Sequence, residues 1–143
     1  MTDIENVVFD GLKKHMLLKF SDLKENSIRS EHMNSPPVFP CIMAYESSNS
    51  TLEATADERG EHHASLRYTI EVYTNNKNGK KQKAKELANA VDAYMLDLGF
   101  LRAYKQYTIG ANEATTFVVT CSYRCVAGES YAGDDNTIMI YRR

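Results

Sequence analysis

The sequence lacks the features that mark several common classes of protein. Its 143 residues contain no apolar run long enough to cross a membrane. The acidic start, Met1-Thr2-Asp3-Ile4-Glu5, lacks the basic and apolar regions of a signal peptide. A formal net charge of -2 gives no overall attraction to nucleic acid. We therefore expect a protein that is made and kept in a cytoplasm, with no membrane partner and no direct nucleic-acid binding.

Cysteine is scarce, which argues against a disulfide framework. The chain has three cysteines, an odd number, and no Cys-x-x-Cys motif. Cys121 and Cys125 are four residues apart on a predicted strand, so they share a face but lie about 13 Å apart at ~3.3 Å per residue. That separation is too large for a disulfide or a shared metal ion. We expect both to be small core residues.

Catalytic motifs are also missing. There is no Gly-x-Ser-x-Gly elbow and no recognisable order of Cys, His and Asp. The neighbours His62 and His63 would point to opposite faces of a strand, which disfavours a shared metal. The segment Asn78–Lys83 lacks the two glycines that frame a phosphate loop. The sequence therefore predicts no catalytic residues, no cofactor and no metal.

One cluster of lysines is a candidate binding surface. Its members follow a predicted turn and open a predicted helix: Lys77, Lys80, Lys81, Lys83 and Lys85. Lysines at a helix N-terminus oppose the helix dipole. They could meet phosphates or an acidic protein surface, although a solvated basic face is the favoured interpretation.

Apolar spacing predicts two helices. The first covers residues 3–20, capped by Asp3, with an apolar stripe of Ile4, Val7, Val8, Leu12 and Met16. The second covers Lys80–Leu98 and ends at Gly99. Its predicted stripe is Ala84, Leu87, Ala88, Val91, Met95 and Leu98.

Alternating patterns predict the strands. They cover residues 38–45, 64–75 and 116–127, with shorter candidates at 103–107 and 137–141. In the second strand Leu66, Tyr68, Ile70 and Val72 should be buried and the opposite face exposed. We therefore expect an α+β fold in one domain covering residues 1–143. It should contain an antiparallel or mixed sheet of three to five strands, two helices packed on one face, and the order α-β-β-α-β.

Two connections are polar. Residues 21–35 are predicted to be a loop. The stretch Glu46–His63 is long and poor in large apolar residues, which indicates a functional loop or a hairpin extension that orders on contact with a partner. Its charges are mainly acidic, namely Glu46, Glu53, Asp57, Glu58, Arg59 and Glu61. We expect it to meet a basic surface.

The order of these elements resembles one protein family. The residues that carry the resemblance are Val38-Phe39-Pro40, Tyr68–Asn75, Gly79-Lys80-Lys81, Val91-Asp92, Leu98-Gly99-Phe100 and Tyr123–Val126. Together they are similar to the tail terminator, or tail completion, proteins of long-tailed bacteriophages and prophage-derived tail particles. The resemblance covers about Pro36 to Arg143.

The resemblance implies a structural role in a virion. Such proteins form a ring, usually of six subunits, at the head-proximal end of the tail tube. The ring stops polymerisation of the tube and gives the head a docking surface. The implied partners are other copies of the chain, the tail tube protein and the head–tail connector proteins. A head–tail connector or stopper is the main alternative, and a small nucleic-acid-binding module that uses the lysine cluster is a second one.

A closed ring needs two different surfaces on each subunit. We expect one at the predicted edge strand, including Val38 and Phe39. We expect the other in the C-terminal segment, including Thr137, Ile138, Ile140 and Tyr141. The acidic stretch Glu46–His63 is predicted to dock onto the tail tube. The alternative is a tolerated surface insertion, since longer loops cost little in closure entropy.

Overall fold

A computed structural model describes residues 4–33, 36–51, 63–76, 78–109, 116–129 and 138–141. Two helices, α1 (Glu5–Lys19) and α2 (Lys80–Leu98), accompany one sheet. The strands are β1 (Ile28–Arg29), β2 (Cys41–Thr51), β3 (His63–Thr74), β4 (Leu101–Ile109), β5 (Phe117–Glu129) and β6 (Ile138–Tyr141). Neither helix is long and apolar enough to span a bilayer within the described ranges.

The sheet has the order β1-β2-β3-β5-β4, and β6 pairs with the far end of β5. Only the β1–β2 pair is parallel. The predicted α+β class is therefore confirmed, with two helices and a mixed sheet. The two-residue β1 is the strand that sequence patterning could not detect. Strand β5 returns from β4 and lies between β4 and β3, so β3 and β5 form the centre of the sheet.

One face of the sheet carries the main core. Leu66, Tyr68, Ile70 and Val72 of β3 are all buried, as predicted from their alternation. Because paired residues on neighbouring strands share a face, the opposing β5 residues join the same core, namely Cys125, Tyr123, Cys121 and Val119. Helix α2 packs on β3 and β5, while α1 packs on α2 and β2.

Helix α2 has the boundaries that the sequence predicts. Its core stripe is buried as predicted, except that Leu98 is only partly buried and Ala90 is buried as well. Gly99 ends the helix with a φ of 112°, which the absence of a side chain permits. The amides of Gly99 and Phe100 then donate to the carbonyls of Leu96 and Met95, the pattern of a Schellman cap.

Helix α1 corrects one predicted core residue. Ile4, Val8, Leu12 and Met16 are buried and follow each other at intervals of four. Val7 is 65% exposed, because it lies about 100° around the helix from Val8 and away from the stripe. The position before the helix is Ile4, which supplies no side-chain cap. The predicted cap, Asp3, lies outside the described residues.

The stretch Glu46–His63, predicted to be a functional loop or a hairpin extension, is strand at both ends, as in a hairpin extension. Residues 46–51 continue β2, and His63 already belongs to β3. Ser48 faces Arg67 and Thr51 faces Ala64, with a register shift between Glu46 and Ser48. A polar segment can form this ladder because strand pairing uses backbone groups. Residues 52–62 lie outside the described residues.

The segment before β2 also departs from the prediction. Within the predicted loop 21–35, a 3-10 turn at Glu25–Ser27 leads into β1. Strand β2 begins at Cys41 rather than residue 38, directly after Pro40, which has no N–H to donate to a ladder. On the second face of the sheet, a small cluster of Cys41, Met43 and Tyr73 is covered by Met33, Phe39, Tyr45 and Val118.

Candidate interaction surfaces

Among the residues that the structure describes, no group of three or more His, Cys, Asp or Glu side chains could hold a metal ion. Cys41, Cys121 and Cys125 are free thiols, and all three are buried. Burial raises the pKa of each thiol, that of Cys125 to about 12, with the nearby Glu46 charge as a smaller cause. These thiols therefore remain protonated at neutral pH and are poor nucleophiles, which agrees with their predicted role in the core.

The lysine cluster is smaller than the sequence indicates. The ammonium of Lys83 lies 2.9 Å from Asp22 Oδ2 and 4.9 Å from the ring centroid of Phe20. Lys85 lies 5.8 Å from the ring centroid of Tyr107. Lys83 is therefore held by an acidic and an aromatic neighbour, and Lys77 lies outside the described residues. The three remaining residues, Lys80, Lys81 and Lys85, make a weak basic surface.

Beyond its small apolar cluster, the second face of the sheet carries two adjacent arginines. Arg67 of β3 stands directly opposite Arg124 of β5, and both are exposed. Neither guanidinium forms an ion pair with any residue in the described ranges. Ser65, Thr69, Ser122 and Tyr104 occupy neighbouring positions on this face. We call Arg67, Arg124 and Tyr104 the arginine face.

A buried carboxylate lies at the other end of the same face. Glu71 is only 9% exposed. Its Oε1 lies 2.7 Å from His32 Nδ1 and accepts a 3.1 Å hydrogen bond from Tyr45, while its Oε2 accepts a 3.0 Å bond from Tyr73. Burial and the Glu71 charge raise the pKa of Tyr45 to about 12 and that of Tyr73 further still. Glu71 thus connects His32, Tyr45 and Tyr73 and holds the segment around His32 against the sheet.

A second polar cluster joins α2 to the sheet. The hydroxyl of Tyr123 donates to Asp92 Oδ1 at 3.0 Å, and Arg102 Nη1 lies 3.3 Å from the same oxygen. Burial, then the neighbouring Cys121 and Asp92, raises the pKa of Tyr123 well above its usual range. The cluster therefore connects α2, β4 and β5.

The sheet has two different open edges. No described strand lies beside β4 on the side away from β5, nor beside β2 after Met43. Side chains at both edges are exposed, including Ser48 and Ser50 on β2 and Tyr104 and Gln106 on β4. Edges of this kind are templates for the strand of another chain.

The predicted interface residues fall on both sides of the sheet. Val38 and Phe39 are partly buried just before β2, and Glu46 accepts a hydrogen bond of 3.3 Å from Asn49 within β2. Strand β6 contains Ile138, Ile140 and Tyr141 and pairs with β5 of the same chain, on the side where β4 lies. The other predicted residues, Glu53, Asp57, Glu58, Arg59, Glu61 and Thr137, lie outside the described residues.

Two features escaped the sequence analysis. The predicted exposed face includes Arg67, but its neighbour Arg124 follows only from the β3–β5 register. The open edge of β4 follows from the position of β5 between β3 and β4. Neither has a local signal in the sequence, because both depend on which distant strands pair.

Comparison with solved structures gives a distant likeness. No family model and no curated protein matches the sequence. Among solved structures, a chain from the virion of a native gene transfer agent particle aligns with 81% of this chain and 94% of its own length. The identity is 12% and the TM-score is 0.43. A likeness this distant carries no argument about function.

Proposed function

We propose that this protein is a structural subunit of a phage-like virion, acting as its tail terminator. Copies of the chain close into a ring at the head-proximal end of the tail tube, where they stop tube polymerisation and offer a docking surface to the head connector. The protein is made in the host cytoplasm and ends in the virion. Its partners are its own copies, the tail tube protein and the connector proteins.

The two open edges are the observation that carries this proposal. A head-to-tail ring requires two different, complementary surfaces on each subunit. Strand β2 lies at one side of the sheet and β4 at the other, and the antiparallel steps from β2 through β3 and β5 to β4 make these two strands run in opposite directions. If β4 of one copy adjoins β2 of the next, the sheet continues as an antiparallel sheet.

The predicted interface segments fit this arrangement. Val38 and Phe39 precede β2 on one side of the sheet, and β6 continues the side that β4 occupies. In the proposed ring, both segments therefore lie near the contact between neighbouring subunits. The acidic residues Glu53, Asp57, Glu58 and Glu61 stand in the connection between β2 and β3, which is proposed to dock onto a basic surface of the tail tube.

Electron microscopy of particles assembled without this protein tests the role. A terminator is required for length control and for joining, so its loss should give tails of irregular length that lack heads. Tails of regular length without heads would instead identify a connector or stopper. Tails of normal length joined to heads would contradict both assignments.

A further inference from the structure

The arginine face combines two positive charges at a position where a sheet normally avoids them. Like charges directly opposite each other on paired strands destabilise a sheet. Arg67 and Arg124 are such a pair, and no acidic side chain within the described ranges compensates them. Local rules of stability are most often broken where a protein binds something. The two positive charges are therefore suited to binding an anionic partner outside the folded domain.

The geometry of the pair suits carboxylates. Directly opposed residues on antiparallel strands have Cβ atoms about 5 Å apart, so two guanidinium groups are presented side by side. Each guanidinium has a planar set of donors that matches a carboxylate in a bidentate manner. Two neighbouring acidic side chains could thus be bound together, one by each arginine.

The surroundings favour a protein over a nucleic acid. Nucleic-acid binding gains its strength from neutralising many phosphates, but the other positions around this pair carry no further positive charge. They are the hydroxyl residues Ser48, Ser65, Thr69 and Ser122, the apolar residues Leu101 and Val126, and Tyr104. The exposed lysines of α2 belong to a helix that covers the opposite face, so they do not extend the patch. Tyr104 is 47% exposed on the neighbouring strand β4. Arginine and tyrosine together are characteristic of protein–protein interfaces.

We infer that the arginine face is a docking site for an acidic segment of a partner protein, with Arg67 and Arg124 binding its carboxylates and Tyr104 packing beside them. The inference does not depend on the proposed ring, because it concerns the face of the sheet and not its edges. The arginine face would be the same docking site if this protein had a role other than tail terminator.

Two-dimensional NMR of the full chain tests this inference, since it detects weak binding residue by residue. The probes are a hexaglutamate peptide and a short DNA duplex, compared at equal ionic strength. We expect the peptide to shift the Nε–Hε signals of Arg67 and Arg124 and the backbone amides around them. In the double variant Arg67→Gln/Arg124→Gln the amide shifts should disappear, whereas the spectrum should retain the dispersion of a folded protein.

A second variant serves as the charge-matched control. Lys81→Gln/Lys85→Gln removes two positive charges from the exposed part of α2 and should leave the peptide-induced shifts unchanged. Three outcomes would overturn the inference: no shifts at the arginine face, shifts that survive in the arginine variant, or shifts lost in the lysine variant. Stronger shifts with the DNA duplex than with the peptide would overturn it in favour of a nucleic-acid surface.

Discussion

The hydroxyl of Tyr123 donates a 3.0 Å hydrogen bond to Asp92 Oδ1 and so joins the central strand β5 to helix α2. Tyr123 is buried and Asp92 is partly buried. Hydrogen bonds to charged groups contribute about 1.5–3 kcal/mol to stability. The bond therefore stabilises the fold, although a tyrosine beside a carboxylate resembles a catalytic arrangement.

The first prediction concerns this bond. Tyr123→Phe keeps the ring in the core and removes only the hydroxyl. Asp92 retains Arg102 as a partner, so we expect the free energy of unfolding to fall by about 1.5 kcal/mol, at the lower end for a bond to a charged group. Urea denaturation measures the change. Tyr104→Phe, at an exposed site, should change stability by less than about 0.5 kcal/mol, and an equal loss in both variants would contradict the assignment.

The parts of the fold that the sequence predicted are those fixed by contact with the core. Burial of one side imposes a period of two on β3 and of 3.6 on α2, so their core faces are readable from local pattern. The opposite face of β3 was wrongly expected to be exposed throughout, because Glu71 and Tyr73 are buried there by residues distant in sequence. For residues 46–51, polarity left a loop and a hairpin extension as alternatives, because their strand is held by backbone pairing with β3. The opposition of Arg67 and Arg124 depends on pairing across α2 and β4, which local pattern cannot encode.

The second prediction follows from the buried thiols. The pKa of Cys125 is raised from 9.0 to about 12 in the folded protein, mainly by burial. The fold thus favours the protonated thiol. The stabilisation that the protonated Cys125 thiol gives the folded state is fully present below the pKa of this thiol in the unfolded chain, near 9. It is lost as the pH rises towards 12. Over this window one such group lowers the free energy of unfolding by about 1.4 kcal/mol per pH unit.

Denaturation in urea between pH 8 and pH 11 measures that slope. Cys125→Ala should be less stable at pH 8, because a buried side chain is truncated, but its stability should fall less steeply with pH. Cys121→Ala, at another buried thiol with a raised pKa, should change the slope in the same direction. Parallel curves for both variants and the wild type would show that the thiols do not cause the alkaline loss.

The third prediction concerns Gly11 in α1. Alanine usually stabilises a helix interior by about 1 kcal/mol relative to glycine. Here a Cβ at residue 11 would overlap the hydroxyl of Tyr94, and the Tyr94 ring is stacked on His15 at a centroid distance of 5.2 Å. We expect Gly11→Ala to destabilise the protein by about 1 kcal/mol, since overpacking outweighs the helix preference.

A double-mutant cycle with Tyr94→Phe checks the cause. Removing the hydroxyl relieves the closest overlap, so Gly11→Ala should be less harmful, or stabilising, in the Tyr94→Phe background. The cycle is measured by thermal or urea denaturation of the four proteins. If Gly11→Ala has the same effect in both backgrounds, overlap with the Tyr94 hydroxyl is not the cause of the destabilisation.

The fourth prediction concerns the acidic connection between β2 and β3. Replacing residues 52–62 with a short glycine-serine link should leave the domain folded, because the ladder from Cys41–Tyr73 to Thr51–Ala64 is retained. Under the proposed function, the shortened protein should fail to cap tails, as seen by electron microscopy of tail lengths. A matched variant keeps the length and changes Glu53, Asp57, Glu58 and Glu61 to their amides. Tails of normal length with the shortened protein would show that this connection does not dock onto the tube.

The last prediction concerns contact between the open edges of neighbouring subunits. If β4 of one copy pairs with β2 of the next, residues on the same face of the two strands lie within reach of a disulfide. Ser48→Cys or Ser50→Cys, each combined with Tyr104→Cys or Gln106→Cys, covers three registers on the second face of the sheet. The native thiols are buried, so oxidation reports the new cysteines. On assembled tails we expect a ladder of covalent multimers that ends at the ring size, while Lys81→Cys paired with the same β2 cysteines should give none. Absence of multimers from all four pairs, with the protein present on the tails, would show that the ring closes through other surfaces.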